Sequence, residues 1–249
     1  MRLTIAMSGR DNPITLPLHY QQQLQGLLYH SLRNPKFSEF LHEVGFRKEK
    51  RSYKLFTFSR LYGPHQLNFE RKTITFYEEF YWHVGTVLPE LTQELGEYLL
   101  LHPDVQVGGQ PVEIKRIDVE KRDIKGKEIE IEMLSPLTVY STYELVDGSK
   151  KTQFFSPYDE VFSHLVELNF RNKYEAYYGI PPKERLFIEP IRVTEKQKVV
   201  TIFKGFYITA WLGHYRLCSS PGNLTFLYRV GIGGRNSQGF GMFRLLSER

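Results

Sequence analysis

The pattern of apolar and polar positions predicts alternating helices and strands in the first half of the chain. Two segments, one opening at Pro17 and one over 89–101, repeat leucines at the period of an amphipathic helix. These leucines are Leu24, Leu27, Leu28 and Leu32 in the first segment, and Leu91, Leu95, Leu99 and Leu100 in the second. Apolar or alternating runs predict strands at 3–6, 54–60, 72–77 and 112–119. The predicted order is therefore βαββαβ.

The second half of the chain repeats this order. A strand or hairpin is predicted at 128–140, and the elements that follow are a helix at 158–177, strands at 185–192 and 206–217, a helix at 221–230 and a last strand from Phe240. The polar segment 121–128 is typical of a linker. We therefore predict an α+β fold of tandem ferredoxin-like domains, 1–122 and 123–249. Because such folds host many activities, the function has to be inferred from the site.

The segment Gly231–Gly241 is unusually rich in glycine. Its sequence, GIGGRNSQGFG, has glycine at Gly231, Gly233, Gly234, Gly239 and Gly241. Glycine allows positive φ and close backbone approach, and the intervening Arg235, Asn236, Ser237 and Gln238 supply donors without negative charge. The spacing fits neither a Walker A loop nor a dinucleotide fingerprint. The pattern indicates an anion-cradling loop, and the alternative is a flexible, hairpin-like connector without a ligand.

Composition and charge favour a cytoplasmic protein that binds nucleic acid. The chain has 249 residues and a net charge of +5, and Cys218 as its one cysteine excludes an intrachain disulfide or a Cys-x-x-Cys site. No apolar run reaches the ~18 residues of a membrane span. Basic residues cluster at 33–60 and in the last 45 residues, among many of the 18 Phe and 16 Tyr. These regions are either solvated faces or, with aromatic side chains available for stacking, an RNA-binding surface.

The available side chains favour acid-base chemistry without a metal or cofactor. The histidines lack neighbours with metal-ligand spacing, and Gly-x-Ser-x-Gly is absent from the sequence. RNA can be cleaved by such chemistry because its 2′-hydroxyl can attack the adjacent phosphate. This reaction needs a base, an acid and a cation. Tyr29, His42 and Lys54 supply these kinds of group within one N-terminal segment.

Four blocks of sequence resemble the CRISPR-associated endoribonucleases that process repeat RNA, within the superfamily of repeat-associated RNA-binding proteins. The blocks are YQQQLQGLLY at 20–29, LHEV at 41–44, KLFTFS at 54–59 and GIGGRNSQGFGM at 231–242. The resemblance spans essentially the whole chain. It implies tandem ferredoxin-like domains and metal-independent cleavage within each repeat, leaving 5′-hydroxyl and 2′,3′-cyclic phosphate ends.

The resemblance also implies roles for individual residues. Tyr29 and His42 match the acid-base pair, and Lys54 matches the lysine that stabilises charge. The glycine-rich segment is expected to bind RNA and to contribute to the architecture between the domains. His30 competes with His42, since adjacent helical residues point about 100° apart and only one of Tyr29 and His30 can face the site. Other basic residues compete with Lys54 or extend the RNA-binding surface: Lys48, Lys50 and Arg51.

The expected partner is the CRISPR precursor transcript, bound by a monomer or homodimer. No membrane partner is expected. A second reading is a non-catalytic RNA-binding subunit of a CRISPR effector complex, which keeps the glycine-rich segment but needs no acid-base pair. A third is a domain pair that binds a protein and no RNA. His42 within its matching block favours the enzyme.

Overall fold

The computed structural model describes residues 1–10 and 13–249. The first half of the chain forms a mixture of helices and mostly short strands. In chain order these are β1 Arg2–Gly9, β2 Ile14–Pro17, α1 Gln21–His30, α2 Pro35–Glu39, β3 Phe46–Lys48, β4 Arg51–Tyr53, β5 Phe56–Phe58, β6 His65–Asn68, β7 Thr73–Phe76, β8 Phe80–Thr86, α3 Pro89–Leu101, β9 Asp104–Val107 and β10 Gln110–Glu120. Helix α2 continues into a π-helical turn at Phe40–Val44.

The second half contains two helices among its strands, and α4 is the longer of them. Its elements are β11 Glu128–Met133, β12 Tyr140–Glu144, β13 Lys150–Phe154, α4 Phe162–Tyr178, β14 Phe187–Arg192, β15 Lys198–Phe203, β16 Phe206–Trp211, β17 His214–Cys218, α5 Pro221–Val230 and β18 Phe243–Glu248. Short 3₁₀ turns lie at Glu195–Gln197 and Asn236–Gln238. Across the described residues, no helix is both long and apolar enough to span a bilayer.

The first half is organised around an antiparallel sheet of order β5-β8-β1-β10-β9. Seven of the eight leucines that set the sequence pattern are buried in one core with Ile5, Phe56 and Trp82 of the sheet, whereas Leu100 of α3 is exposed. Burying an amphipathic stripe against a sheet face removes apolar area from water, which stabilises both elements. Strands β1, β5, β8 and β10 with α1 and α3 therefore follow the order βαββαβ.

The second half repeats this topology. Its antiparallel sheet has the order β14-β17-β11-β18, with α4 after β11 and α5 after β17. Phe162, Val166 and Phe170 of α4 are buried with Leu224 and Leu227 of α5 in a second core. In each sheet, numbering the four βαββαβ strands in chain order places them in the order 2-3-1-4.

Three of the predicted elements differ clearly from the structure. The strand at 72–77 is β7, which pairs with β2 and β6 in a separate sheet, and the third strand of the main sheet is β8, which was missed. Pro17 ends β2 and α1 begins only at Gln21. The single strand predicted at 206–217 is two strands, because β16 pairs with β15 while β17 joins the main sheet. In each case the segment pairs with a strand elsewhere in the chain, and a local pattern does not reveal that pairing.

Helix α5 connects the two halves. The guanidinium of Arg2, at the start of β1, is buried over the Tyr228 ring at 3.4 Å from its centroid. Its Nε and Nη2 donate to the Tyr228 carbonyl at 3.0 and 2.6 Å. The Tyr228 hydroxyl donates to Glu120 Oε2 at 2.9 Å. Because a cation is favourable near a helix C-terminus, this contact fixes the last turn of α5 against the first sheet.

The glycine-rich segment, 231–241, connects α5 to β18 and also packs against the first half. The Thr57 hydroxyl of β5 donates to the Phe240 carbonyl at 3.0 Å. A Cβ on Gly239 would lie 2.5 Å from the Phe58 ring, and one on Gly241 would lie 1.9 Å from the Ile232 carbonyl oxygen. Both glycines also have positive φ. These positions therefore require glycine for conformation and for space.

We predict that Gly241→Ala destabilises the protein far more than Gly205→Ala. Gly205, in the β15–β16 turn, also has positive φ, but a Cβ there would meet nothing within 4 Å. Gly205→Ala should cost only the conformational term of roughly 1–2 kcal/mol. Gly241→Ala should cost at least about 3 kcal/mol, because the Ile232 carbonyl has to move. Urea unfolding of both variants measures this, and equal losses would contradict the steric argument.

Candidate functional site

Tyr29 and His42 meet although they lie on different elements. Tyr29 is in the last turn of α1, and His42 is in the π-helical turn after α2. Their rings pack edge to face with centroids 5.0 Å apart, and Tyr29 also contacts Phe56 at 5.9 Å. Burial raises the pKa of Tyr29, and the negative charge of Glu43 acts in the same direction. The phenol therefore keeps its proton at neutral pH.

His30 points away from this pair. Its ring packs against Tyr98 of α3, with centroids 5.7 Å apart. Tyr29 instead faces the turn that carries His42, as expected from the 100° between neighbouring helical side chains. His30 therefore belongs to the α1–α3 surface.

Lys54 lies beside the same turn. Its Nζ donates to the main-chain carbonyl of His42 at 2.8 Å. Partial burial lowers the pKa of Lys54, while the charge of Glu43 opposes that effect. The ammonium is thus held at the segment that contains the histidine.

The competing basic residues lie on the β3–β4 hairpin. Lys48 forms an ion pair with Glu175 of α4, with Nζ and Oε1 2.5 Å apart. Lys50 is exposed in the hairpin turn, and Arg51 is exposed on β4. The hairpin therefore directs Lys48 towards the second half of the molecule, away from the carbonyl that Lys54 contacts.

Glu43 is a member of this cluster that the sequence analysis missed. Its Oε1 lies 2.5 Å from His42 Nδ1, and both side chains are more than half exposed. A carboxylate only accepts hydrogen bonds, so Nδ1 carries the proton and Nε2 is the acceptor nitrogen of the neutral ring. The adjacency of His42 and Glu43 was visible in the sequence, but only the π-helical backbone turns both side chains to one side.

A cleft of about 740 Å³ lies between the two halves. Its walls come from β4 and β5, the β12–β13 hairpin, α4 and the glycine-rich segment. The predicted site residues that line it are Arg51, Lys54, Gly233, Gly234, Arg235, Asn236, Ser237 and Gln238. Seven predicted site residues are outside this lining: Tyr29, His42, Lys48, Lys50, Gly231, Gly239 and Gly241. The cleft thus joins Lys54 to one part of the glycine-rich segment.

Arg235 and Tyr140 form the most distinctive surface within the cleft. The guanidinium of Arg235 lies over the Tyr140 ring, 4.9 Å from its centroid. Within the described chain, Arg235 Nε and Asn169 Oδ1 are buried without a hydrogen-bond partner. Buried polar atoms are normally satisfied, so these two atoms are exceptions in the wall of the cleft. Tyr140 and Asn169 carry no local sequence signal and were not predicted.

Several backbone amides of the glycine-rich segment already donate to carbonyl groups of the protein. The amide of Gly234 donates to Thr138, that of Gly239 to Asn236 and that of Gly241 to Pro136. The predicted anion cradle is therefore wrong for these amides, because they already have carbonyl acceptors. The close packing also argues against a flexible connector. The amides of Gly234, Gly239 and Gly241 are therefore not free to bind RNA.

Lys173 of α4 contacts the glycine-rich segment from the protein interior. The sequence analysis did not predict this residue. Its side chain is buried, and its Nζ donates to the carbonyls of Gly231 and Gly233 at 2.8 and 3.2 Å and to Asn236 Oδ1 at 2.9 Å. Burial lowers the pKa of Lys173 to about 7, whereas the three acceptor oxygens stabilise the ammonium.

Potential metal ligands are dispersed in this structure. Within residues 1–10 and 13–249, no three His, Cys, Asp or Glu side chains come together in an arrangement that could hold a metal ion.

The fold and the site define a mixed α/β protein with a basic, aromatic-lined cleft between its two halves. The family model "CRISPR-associated protein Cas6, N-terminal" matches residues 15–118, and "CRISPR associated protein Cas6, C-terminal" matches residues 118–245. The chain therefore belongs to the Cas6 family of CRISPR-associated proteins. This confirms the resemblance inferred from the sequence blocks.

Individual relatives agree with this assignment over nearly the full chain. The CRISPR-associated endoribonuclease Cas6 of Pyrococcus furiosus is 28% identical, covering 98% of this chain and 90% of the relative. CRISPR-associated endoribonuclease Cas6 1 of Methanocaldococcus jannaschii is 24% identical, covering 97% and 91%. A solved structure from the characterization of a Cas6-related gene of Pyrococcus furiosus has a TM-score of 0.86 at 21% identity, covering 100% and 99%. This last likeness shows the shared fold.

We predict that Glu43 sets the tautomer of His42. In alkaline buffer the imidazole should carry its proton on Nδ1, because Glu43 accepts from that atom. Glu43→Gln should shift the population towards the Nε2-protonated form. Long-range ¹H–¹⁵N correlation spectra of the His42 ring distinguish the two, with His30 as the internal control. An Nε2–H tautomer in the parent protein would contradict the assignment.

Proposed function

We propose that this protein is a metal-independent endoribonuclease that cleaves CRISPR precursor RNA within its repeats. The observation that carries the proposal is the convergence of Tyr29, His42 and Lys54 from separate elements. Membership of the Cas6 family and the printed function of the two curated relatives support the substrate class. The cluster supplies a proton acceptor, a proton donor and a cation, which are the groups that 2′-hydroxyl attack requires.

The geometry supports a division of roles in the reaction. Nε2 of His42 takes the proton of the 2′-hydroxyl, whose oxygen forms a bond to the scissile phosphorus. Lys54 stabilises the negative charge that develops on the phosphate oxygens. The bond to the 5′ oxygen breaks, and that oxygen accepts a proton from Tyr29. The products have 5′-hydroxyl and 2′,3′-cyclic phosphate ends, and both residues are restored when the imidazolium of His42 releases its proton to solvent and the tyrosinate of Tyr29 takes one up from solvent.

The raised pKa of Tyr29 is consistent with this role. A phenol that keeps its proton at neutral pH is a poor base, but it can protonate a departing alkoxide, which is a much stronger base. The His42 side chain is more than half exposed and is therefore accessible to a substrate. The pair therefore separates proton removal from proton delivery.

The cleft supports an RNA-binding role for the predicted basic and loop residues. Arg51 and Lys54 line one wall, and Arg235 lies on Tyr140 at another. Arginine binds phosphate, and aromatic rings stack on unpaired bases. The side chains of Asn236, Ser237 and Gln238 add donors beside Arg235. Gly231, Gly233, Gly234, Gly239 and Gly241 contribute by shaping the segment, while Lys50 extends the basic surface outside the cleft.

We assign the two halves to tandem ferredoxin-like domains at 1–122 and 123–249. The repeated βαββαβ order and the strand order 2-3-1-4 in both sheets support this assignment. The proposed partner is the CRISPR repeat transcript. Association with effector-complex subunits and the choice between monomer and homodimer stay predictions.

We predict that cleavage of a repeat RNA is unaffected by chelator and abolished by one 2′-deoxy substitution at the scissile nucleotide. The deoxy substrate lacks the attacking hydroxyl, whereas binding keeps its phosphate contacts. End-labelled RNA incubated in EDTA, with ends analysed for cyclic phosphate, measures this. Chelator-sensitive cleavage of the deoxy substrate would contradict the mechanism.

We predict that His42→Ala lowers the single-turnover cleavage rate by about 10²–10⁴-fold, the usual contribution of a general base. RNA affinity should stay within about threefold, because the histidine is one contact among many. His30→Ala is the matched control and should retain the parent rate, since His30 packs on Tyr98. Tight binding without cleavage by the parent protein would instead indicate the non-catalytic RNA-binding subunit.

A further inference from the structure

Lys173 places a buried ammonium where the glycine-rich segment turns back on itself. Its three acceptors, Gly231 O, Gly233 O and Asn236 Oδ1, are neutral oxygens of that one segment. Asn236 in turn donates from Nδ2 to the carbonyls of Ile232 and Phe240, both at 3.0 Å. The segment thus directs several carbonyl oxygens inward, and a cation is the group that such an arrangement accommodates.

The position of Gly231 at the end of α5 also favours a cation at this place. Gly231 follows the last residue of α5, so its carbonyl is near the negative end of the helix dipole. Lys173 comes from α4, on the other side of this turn. A neutral side chain of the same length would leave inward-facing oxygens without donors in a buried setting, which is costly.

The segment lines the cleft at 233–238, and Lys173 contributes to the same wall. Arg235, in a left-handed conformation, lies on Tyr140 there, and its Nη1 donates to Gln238 Oε1 at 3.2 Å. The carbonyl of Ser237 accepts from Gln25 of α1 at 2.6 Å. The conformation of the segment therefore determines where Arg235 projects and how the segment contacts the helix that carries Tyr29.

We propose that Lys173 is a positioning residue for RNA binding: its ammonium holds the glycine-rich segment in the conformation that presents Arg235 to the RNA. This inference rests on the proposed function, because it assumes that RNA occupies the cleft. Lys173 itself does not touch the reacting atoms. Its loss should therefore weaken binding and leave the chemical step nearly intact.

The test replaces the ammonium by an apolar group of equal size. In a Cys218→Ser background, Lys173→Cys is alkylated in the unfolded state and refolded, once as the aminoethyl thioether and once as the propyl thioether. The first restores an ammonium at nearly the same reach, and the second fills the same volume without charge. Arg171→Met is the matched control, because it removes one positive charge from the same helix two residues away.

The first readout is hydrogen exchange and needs no RNA. The amides of Gly234 and Gly241 donate to Thr138 and Pro136, so their protection reports the conformation of the segment. The propyl form should exchange at least about tenfold faster there than the aminoethyl form, the effect of losing one hydrogen bond to a charged group. Peptides from α3 should be unchanged. Faster exchange throughout the molecule would overturn a specific positioning role.

The second readout separates binding from cleavage. The propyl form should bind repeat RNA at least about tenfold more weakly, and its single-turnover rate at saturating RNA should stay within about threefold. The aminoethyl form and Arg171→Met should match the parent protein. Equal affinity of the two thioether forms, or a loss confined to the cleavage rate, would overturn the proposal. If the parent binds RNA without cleaving it, the proposed function fails while the exchange and affinity comparisons still decide the role of Lys173.

Discussion

The close approach between the glycine-rich segment and strand β5 is the constraint on which the rest of the structure depends. Gly239 lies against the Phe58 ring, and the Thr57 hydroxyl holds the Phe240 carbonyl. Side chains at the glycine positions would separate these backbones. The observed contact between the two halves therefore requires glycine at these positions. Because β5 follows Lys54 directly, the contact that joins the halves also places Lys54 beside the cleft.

The Tyr29–His42–Lys54 cluster depends on local features of the first half, whereas the cleft depends on long-range contacts. Tyr29, His42 and Lys54 come from a short stretch of the first half, and their groups meet through a helix end and a π-helical turn. The cleft instead requires both halves, since Arg235 and Tyr140 lie across from β4 and β5. The proposed catalytic groups therefore lie in the first half, while the cleft depends on how the two halves are joined.

Much of the fold and part of the site were predictable. The helices at 89–101 and 221–230 were predicted with the observed bounds, because proline opens each one and leucines repeat at a helical period. The strand at 72–77 was predicted correctly as a strand but assigned to the wrong sheet, and β8 was missed beside it. Local pattern identifies an extended segment, whereas its partner strand is chosen by packing elsewhere in the chain.

The sequence by itself determined the family and the βαββαβ order and predicted the kinds of catalytic group, because these depend on residue types and spacing within short blocks. Only the tertiary structure decided that Tyr29 rather than His30 faces His42, that Lys48 is paired with Glu175, and that Lys173 lies beneath the glycine-rich segment. These outcomes depend on distances between residues far apart in sequence. Such distances are set by the simultaneous packing of many side chains, which no local pattern records.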